Sequence, residues 1–410
     1  MVVMSYRASK FNYERTNTMF DMNGIWFLLI IPAIFTICVT VFHHKYVKVW
    51  EILVVWVVSI ITIALAQFTS EKFAISDDEI WGYNSVKASY DEPFQYWGTC
   101  SEEYACGTSC TGSGSSRSCS TRYCTRYYPC KKWGGDTAWL TTQTSNKFTI
   151  SRDYFSSIER KIWANSKTIE LHRENDYKII QDGDRRESSW PGDYISSIPI
   201  AIAHTYENRT KRSSSIRFMK VTEADIKKLQ LFNEPKVSGY SSKALYDQSN
   251  QAWAKAGKYF QYLNGKLGPN RNLHIIVLIF RDKPLDVVRY QQGYWRNGNK
   301  NEFIICIGAT KIGTVEWGDV ISWTEVESLK IDFRDYITQR MKTVNEESLI
   351  SLAKYSEIEL GKRFIKPEFT KKYHHLSAAP SLFSVITSAI VVLLVNVGVG
   401  IWIVKNDFTN

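Results

Sequence analysis

Three stretches of the chain, residues 25–42, 49–68 and 381–404, are built almost wholly of apolar side chains. At 1.5 Å rise per residue, each is long enough as a helix to match a hydrocarbon layer roughly 30 Å thick. The pattern predicts three transmembrane helices: a hairpin over 25–68 and one further span within 377–410. Pro32, Asn396, Gly398 and Gly400 interrupt the runs, and membrane helices tolerate such residues where neighbouring helices cover the freed polar groups. A buried core helix is the competing reading, but three nearly uncharged runs of this length argue against it. A cleaved signal peptide also fits poorly, because a polar tail over 1–24 precedes the first run and a second span follows at once.

Everything between the second and third runs, residues 69–376, is polar on average. The short link His43-His44-Lys45-Tyr46-Val47-Lys48 is basic, so the positive-inside rule puts it in the cytoplasm and residues 69–376 outside. Arg7, Lys10 and Arg15 in the tail vote the other way. Cysteines break the tie. Cys100, Cys106, Cys110, Cys119, Cys124 and Cys130 crowd a segment of Ser, Gly, Thr, Arg and Tyr that has too little apolar material for a core. Disulfides are the usual way such a loop holds one shape, and they need an oxidising compartment. Zinc is the rival, weakened by the absence of any C-x-x-C spacing or histidine in the cluster. The expectation is three disulfides of open connectivity, no metal, and a periplasmic or extracellular location.

Charge adds little. Among 410 residues, 51 basic side chains face 41 acidic ones, a net charge of +10. An anionic membrane surface or a polyanion would suit that excess, but the basic residues are spread along the chain, which argues against nucleic acid as a partner. Residues 69–237 read as a cysteine-rich strand and loop region, with strand-like pieces at 147–151, 168–172 and 198–203. Trp81, Trp97, Trp133 and Trp139 bracket the cysteines. They could form a binding face, but packing over the disulfides is the expected use. Asn208-Arg209-Thr210 matches a glycosylation acceptor, a short and common pattern.

From about residue 238 to 376 the texture is α/β. The spacing predicts a helix over 242–263 ended by Gly265 and Gly268-Pro269, a strand over 273–280 (LHIIVLIF) and a helix over 285–294. Strands follow at 303–307 (FIICI) and 313–317, then helices at 328–340 and 346–360. Runs as apolar as LHIIVLIF and FIICI fit strands covered on both faces. The order helix, strand, helix, strand, strand, helix, helix implies a small sheet layered with helices. With the loop Tyr294-Trp295-Arg296-Asn297-Gly298-Asn299-Lys300-Asn301-Glu302 leading into the second apolar strand, this part resembles the TPM domain of thylakoid lumen, phosphatase and membrane proteins. Trp295 and Gly298 match that family's loop in type, whereas Asn301-Glu302 stands where its Asp-Asn step is usual. The whole arrangement also resembles membrane proteins of bacteria and their large tailed phages. The fold class expected is a membrane protein with an α+β extracytoplasmic region.

No catalytic motif stands out. The chain has no G-x-S-x-G, phosphate-binding loop or H-E-x-x-H. His43, His44, His374 and His375 flank the membrane runs, and His274 opens a strand as core histidines often do. Glu302, Glu316 and Asp319, with Glu325 and Glu327 nearby, are the one acidic group. If they converge they could hold Ca²⁺ or Mg²⁺, although solvated carboxylates are the expected reading. Two functional classes remain. The first is a membrane-anchored binding or scaffold module that sits in the lipid bilayer, presents its disulfide-bonded loop and TPM-like domain to an unidentified protein partner, and uses no cofactor. The alternative is a metal-dependent, phosphatase-like hydrolase, which the resemblance implies; fold alone is a poor guide to chemistry.

Overall fold

The computed structural model describes residues 26–43, 48–111, 118–162, 167–171, 179–181, 184–210, 216, 218–368, 372–373, 376 and 382–407. His172, His374, His375 and the tail with Arg7, Lys10 and Arg15 lie outside the described residues. The chain divides into two compact units, one drawn from Met1–Asp78, Thr205–Arg217 and Glu368–Asn410, the other from Glu79–His204 and Phe218–Pro367.

The first unit is helical. A 3₁₀ turn, Trp26–Leu29, leads into α1 (Ile30–His43), followed by α2 (Val49–Ile75) and, far along the chain, the helix Leu382–Asp407. Two of these are long and apolar enough to cross a membrane, through Val49–Thr69 and Phe383–Trp402. The first run falls short of the three-span expectation, with only 14 residues in α-helix, or about 21 Å. Pro32 lies in the first turn of α1, where its missing N–H costs no helical bond, and the residues before it wind as 3₁₀ instead. The helices touch through Leu28, Ile63 and Val392. Their outer faces carry exposed Leu53, Leu65, Phe383 and Ile401, an apolar surface of the kind that meets lipid. Asn396 is buried and explained: Ser59 Oγ lies 3.1 Å from its Oδ1, while its Nδ2 donates to the Val392 carbonyl at 2.7 Å. Gly400 is small because a Cβ there would stand 2.7 Å from the Phe35 ring.

The second unit begins with strands. These are β1 (Ser76–Asp91), β2 (Phe94–Thr111), β3 (Ser118–Gly134), β4 (Thr137–Thr142), β5 (Lys147–Ile150), β6 (Lys167–Leu171), β7 (Ile179–Gln181), β8 (Arg185–Ser189) and β9 (Ile198–Glu207), with helix α3 (Arg152–Ile162) after β5. One sheet runs β5-β4-β1-β8-β6 with β9 also on β1, and β3-β2-β7 make another. The alternating inner residues of the first sheet, Ala88, Tyr90, Ala138 and Leu140, pack with Phe155 and Ile158 of α3 and with Trp190.

After α4 (Glu223–Leu229) comes a four-stranded sheet ordered β10 (Leu245–Asp247), β11 (His274–Arg281), β12 (Glu302–Ala309) and β13 (Val315–Ser322). β10, β11 and β12 are parallel and β13 is antiparallel to β12. Every residue of β12 is buried, as is every residue of β11 except Arg281. Two-sided burial is the reason these strands read as unbroken apolar runs. Ile275, Val277, Ile279, Phe303, Ile305 and Ile307 face a core completed by α5 (Ala254–Arg271), α7 (Glu327–Asp335) and α8 (Glu346–Arg363). Ile276, Leu278, Phe280, Ile304 and Cys306 face another beneath α4 and α6 (Val287–Tyr294).

Two local expectations fail. The helix expected over 242–263 starts only at Ala254, because Leu245–Asp247 extends the sheet as an edge strand beside Val277–Ile279. Gly265, Gly268 and Pro269 do not end it; the helix continues to Arg271. These glycines serve a close approach to β1: a Cβ on Gly268 would lie 2.7 Å from the Gly82 carbonyl oxygen, and one on Gly82 would lie 2.5 Å from the Asn264 carbonyl carbon. Residues on both sides of the expected boundary at 238 therefore belong to one compact unit.

Candidate functional site

The cysteine segment is no irregular loop. β2 and β3 form a long antiparallel ribbon, in register from Phe94↔Gly134 to Thr111↔Ser118, and β7 joins it only at Gln95 and Tyr96. Beyond that point the ribbon is two-stranded for roughly 45–50 Å. Such a hairpin is marginal in water by itself. Three nested disulfides stabilise this one: Cys100–Cys130, Cys106–Cys124 and Cys110–Cys119. The last joins directly opposite residues, whereas Cys100 lies opposite Tyr128 and Cys130 opposite Gly98, so their link is diagonal. Cys106 occupies a bulge between Ala105 and Gly107. In the chain-entropy account, closing one loop of this size contributes about 2–4 kcal/mol. Proteolysis of the unreduced protein should yield linked peptides for these three pairs, seen by mass spectrometry; any other pairing, or six alkylatable thiols, would refute the register.

Strand alternation gives the ribbon two distinct faces. Cys100, Glu102, Tyr104, Cys124, Arg126, Tyr128, Cys130 and Lys132 share one, by the pairings Glu102↔Arg126, Tyr104↔Cys124 and Cys100↔Tyr128. There Arg126 donates to Glu102 at 2.9 Å and lies 5.7 Å from the centre of the Tyr104 ring. Trp97, Tyr123, Tyr127, Lys131 and Trp133 occupy the other face. Trp97 is 45% exposed, Tyr123 66%, Tyr127 73% and Trp133 63%. The expectation that Trp97 and Trp133 pack over the disulfides is therefore wrong, because alternation turns them to the side opposite the neighbouring Cys100–Cys130 pair, and Cys110–Cys119 lies far along the ribbon. Of the other two tryptophans, Trp81 donates to Glu79, and Trp139 packs beneath Arg185 and Lys147. The signal was present in the sequence as alternating aromatics, but was unreadable without knowing that the segment is a strand.

The acidic residues do not converge. Glu302 is buried and accepts from the Asn299 backbone N–H at 2.8 Å and its Nδ2 at 3.0 Å. Asp319 stands opposite Cys306, four positions along β12, so roughly 13 Å separates it from Glu302. It accepts from Arg334 at 2.7 Å. Glu316 is exposed and sits at the bulge where β13 slips its register against the end of β12, at Gly308 and Ala309. Among the described residues no three His, Cys, Asp or Glu side chains gather as a metal-holding group.

Glu302 instead shapes its own loop. Arg296, Asn297 and Gly298 take consecutive left-handed conformations, and a Cβ on Gly298 would meet the Glu302 carboxylate at 2.5 Å. His274, in register beside Glu302, is buried with Nδ1 3.9 Å from Oε1 of that carboxylate. The adjoining cleft, lined by Ser242, Gln261, Asn264 and His274 among others, encloses space for little more than a water molecule. Ligand pockets run to about 300 Å³ or more. Nearby, Glu79 is buried between Lys300 and Lys366, at 3.7 and 3.5 Å. Burial pushes the Lys300 amine below its ordinary value, and Glu79 opposes that shift. These contacts tie β1 to the loop before β12 and to the segment after α8.

No family model matches the chain, and comparison with curated proteins and with solved structures likewise finds no match.

Proposed function

We propose that the chain is a membrane-anchored binding or scaffold module whose disulfide-laddered ribbon meets a partner outside the cytoplasm. The carrying observation is the row of exposed Trp97, Tyr123, Tyr127 and Trp133 on a ribbon with no core of its own. Rigid aromatic side chains give large contact area at low entropic cost and dominate many binding surfaces. Disulfides also suit an oxidising compartment, which supports placing residues 69–376 in a periplasm or outside the cell. In this reading the run at 25–42 is a third span, with its 3₁₀ turn completing the length, and the α/β part is of the TPM kind, supported by its order of elements. The alternative, a metal-dependent hydrolase, has no comparable support, since Glu302, Glu316 and Asp319 stand apart.

The test is co-purification from the native membrane. Trp97→Ser, Tyr127→Ser and Trp133→Ser together should leave stability nearly unchanged, as exposed substitutions usually do, while removing the co-purifying partner. Partner capture equal to the wild type would refute the ribbon as the binding surface. Topology has its own check: a reporter active only outside the cytoplasm should be active at residue 240 and inactive in the 43–48 link.

A further inference from the structure

The ribbon's composition narrows what it meets. From residue 95 to 139 the sequence contains no Val, Ile, Leu, Met or Phe, so its apolar surface is almost wholly Trp and Tyr. These rings combine an apolar body with a polar handle, and favour the headgroup level of a bilayer over its hydrocarbon interior. Charge points the same way: Arg117, Arg122, Arg126, Lys131 and Lys132 face only Glu102 and Glu103 within residues 94–134, an excess of three positive charges. Arg122, Arg126 and Lys131 are exposed. Beyond Tyr96 no third strand pairs with the ribbon among the described residues. Open strand edges cannot enter hydrocarbon, where backbone groups find no partner, but the hydrated headgroup layer satisfies them. Finally, this chain carries helices long and apolar enough to span a bilayer, which holds a lipid surface at high effective concentration.

We infer that the ribbon docks on a bilayer surface rich in anionic phospholipid, with Trp97, Tyr127 and Trp133 seated among the headgroups, Lys131 beside them pairing with phosphate, and Arg122, Arg126 and Lys132 on the ribbon's other face adding attraction through space. The inference rests on the reading of the ribbon as a binding surface and names the partner as lipid. Each basic side chain near such a surface contributes about 1 kcal/mol, and the attraction falls off within a Debye length.

The full-length protein, held in nanodiscs of phosphatidylcholine alone, is mixed with vesicles of phosphatidylcholine or of phosphatidylglycerol-rich lipid, and co-flotation is measured. The protein should float with the anionic vesicles only, and less as salt rises. Arg122→Gln, Arg126→Gln, Lys131→Gln and Lys132→Gln together should weaken that binding at least ~10-fold, and the triple serine variant should weaken it too. Intact disulfides in both variants, checked by mass, exclude unfolding as the cause. Equal flotation with both lipids, no flotation of the wild type, unchanged binding by the charge variant, or preference for a soluble anionic glycopolymer over vesicles would each overturn the inference. If vesicle binding is absent while a protein still co-purifies through Trp97, Tyr127 and Trp133, the lipid assignment fails and the binding-module reading stands. Loss of both would sink both.

Discussion

Replacing Ile305 by lysine should unfold the α/β part of the second unit. Ile305 is fully buried in β12, paired with Val277 on one side and Val320 on the other. It packs in the core that α5, α7 and α8 cover. A lysine there must carry an unpaired charge into that core or surrender its proton, and either costs several kcal/mol. Domains of this kind are stable by only about 5–15 kcal/mol. Ile276→Asp tests the other core, because Ile276 is equally buried and faces the opposite side of the sheet. Denaturant melts of both variants should show midpoints far below the wild type or no folded baseline. A loss of under about 1 kcal/mol at both positions, the tolerance of surface sites, would mean that the two-sided burial is wrong.

Asp247→Ala should be nearly as damaging, through charge rather than volume. The Asp247 carboxylate is buried at the end of β10 and accepts from Arg281 Nε and Nη2 at 2.9 and 2.5 Å, from Trp253 Nε1 at 2.9 Å and from the Ser249 backbone N–H at 2.8 Å. Burial pushes its carboxyl up, but the bonds from Arg281, Ser249 and Trp253 outweigh burial and hold it below the usual value. Removing the carboxylate leaves Arg281, itself largely buried, without its counter-charge, a loss of about 3–5 kcal/mol. Replacing both partners, as Asp247→Leu with Arg281→Met, should recover much of it, since an apolar pair has no charge to desolvate. A depressed carboxyl makes its contribution fully above its unfolded pKa of about 3.9, and the contribution disappears as pH falls through the lower folded value. Urea melts between neutral pH and pH about 2 should therefore show a smaller acid loss for the double variant than for the wild type. Equal acid sensitivity would show that the pair does not couple to stability.

The sequence by itself determined the elements whose signal is local. LHIIVLIF and FIICI are strands because a strand buried on both faces must be apolar at every position, and nothing beyond the segment is needed to see it. The runs around residues 49–68 and 381–404 are legible for a similar reason, since length and apolarity are properties of the run itself. The crowding of six cysteines announced disulfides through composition alone. Tertiary structure decided what depends on a distant neighbour. Gly265 and Gly268 look like helix ends until Gly82, Tyr83 and Asn84, far earlier in the chain, pack against them. Leu245–Asp247 reads as part of a helix until Val277–Ile279 offers a strand edge. Pairing Cys100 with Cys130, and turning Trp97 and Trp133 away from those sulfurs, follow from a register that begins at Phe94 and Gly134. Glu302, Glu316 and Asp319 are close in sequence yet lie apart, because Glu302 opens one strand while Asp319 and Glu316 sit towards the far end of it, and strand rise sets them at a distance. Local periodicity reports the environment of a segment, whereas the contacts that close a site join residues whose separation along the chain leaves no periodic trace.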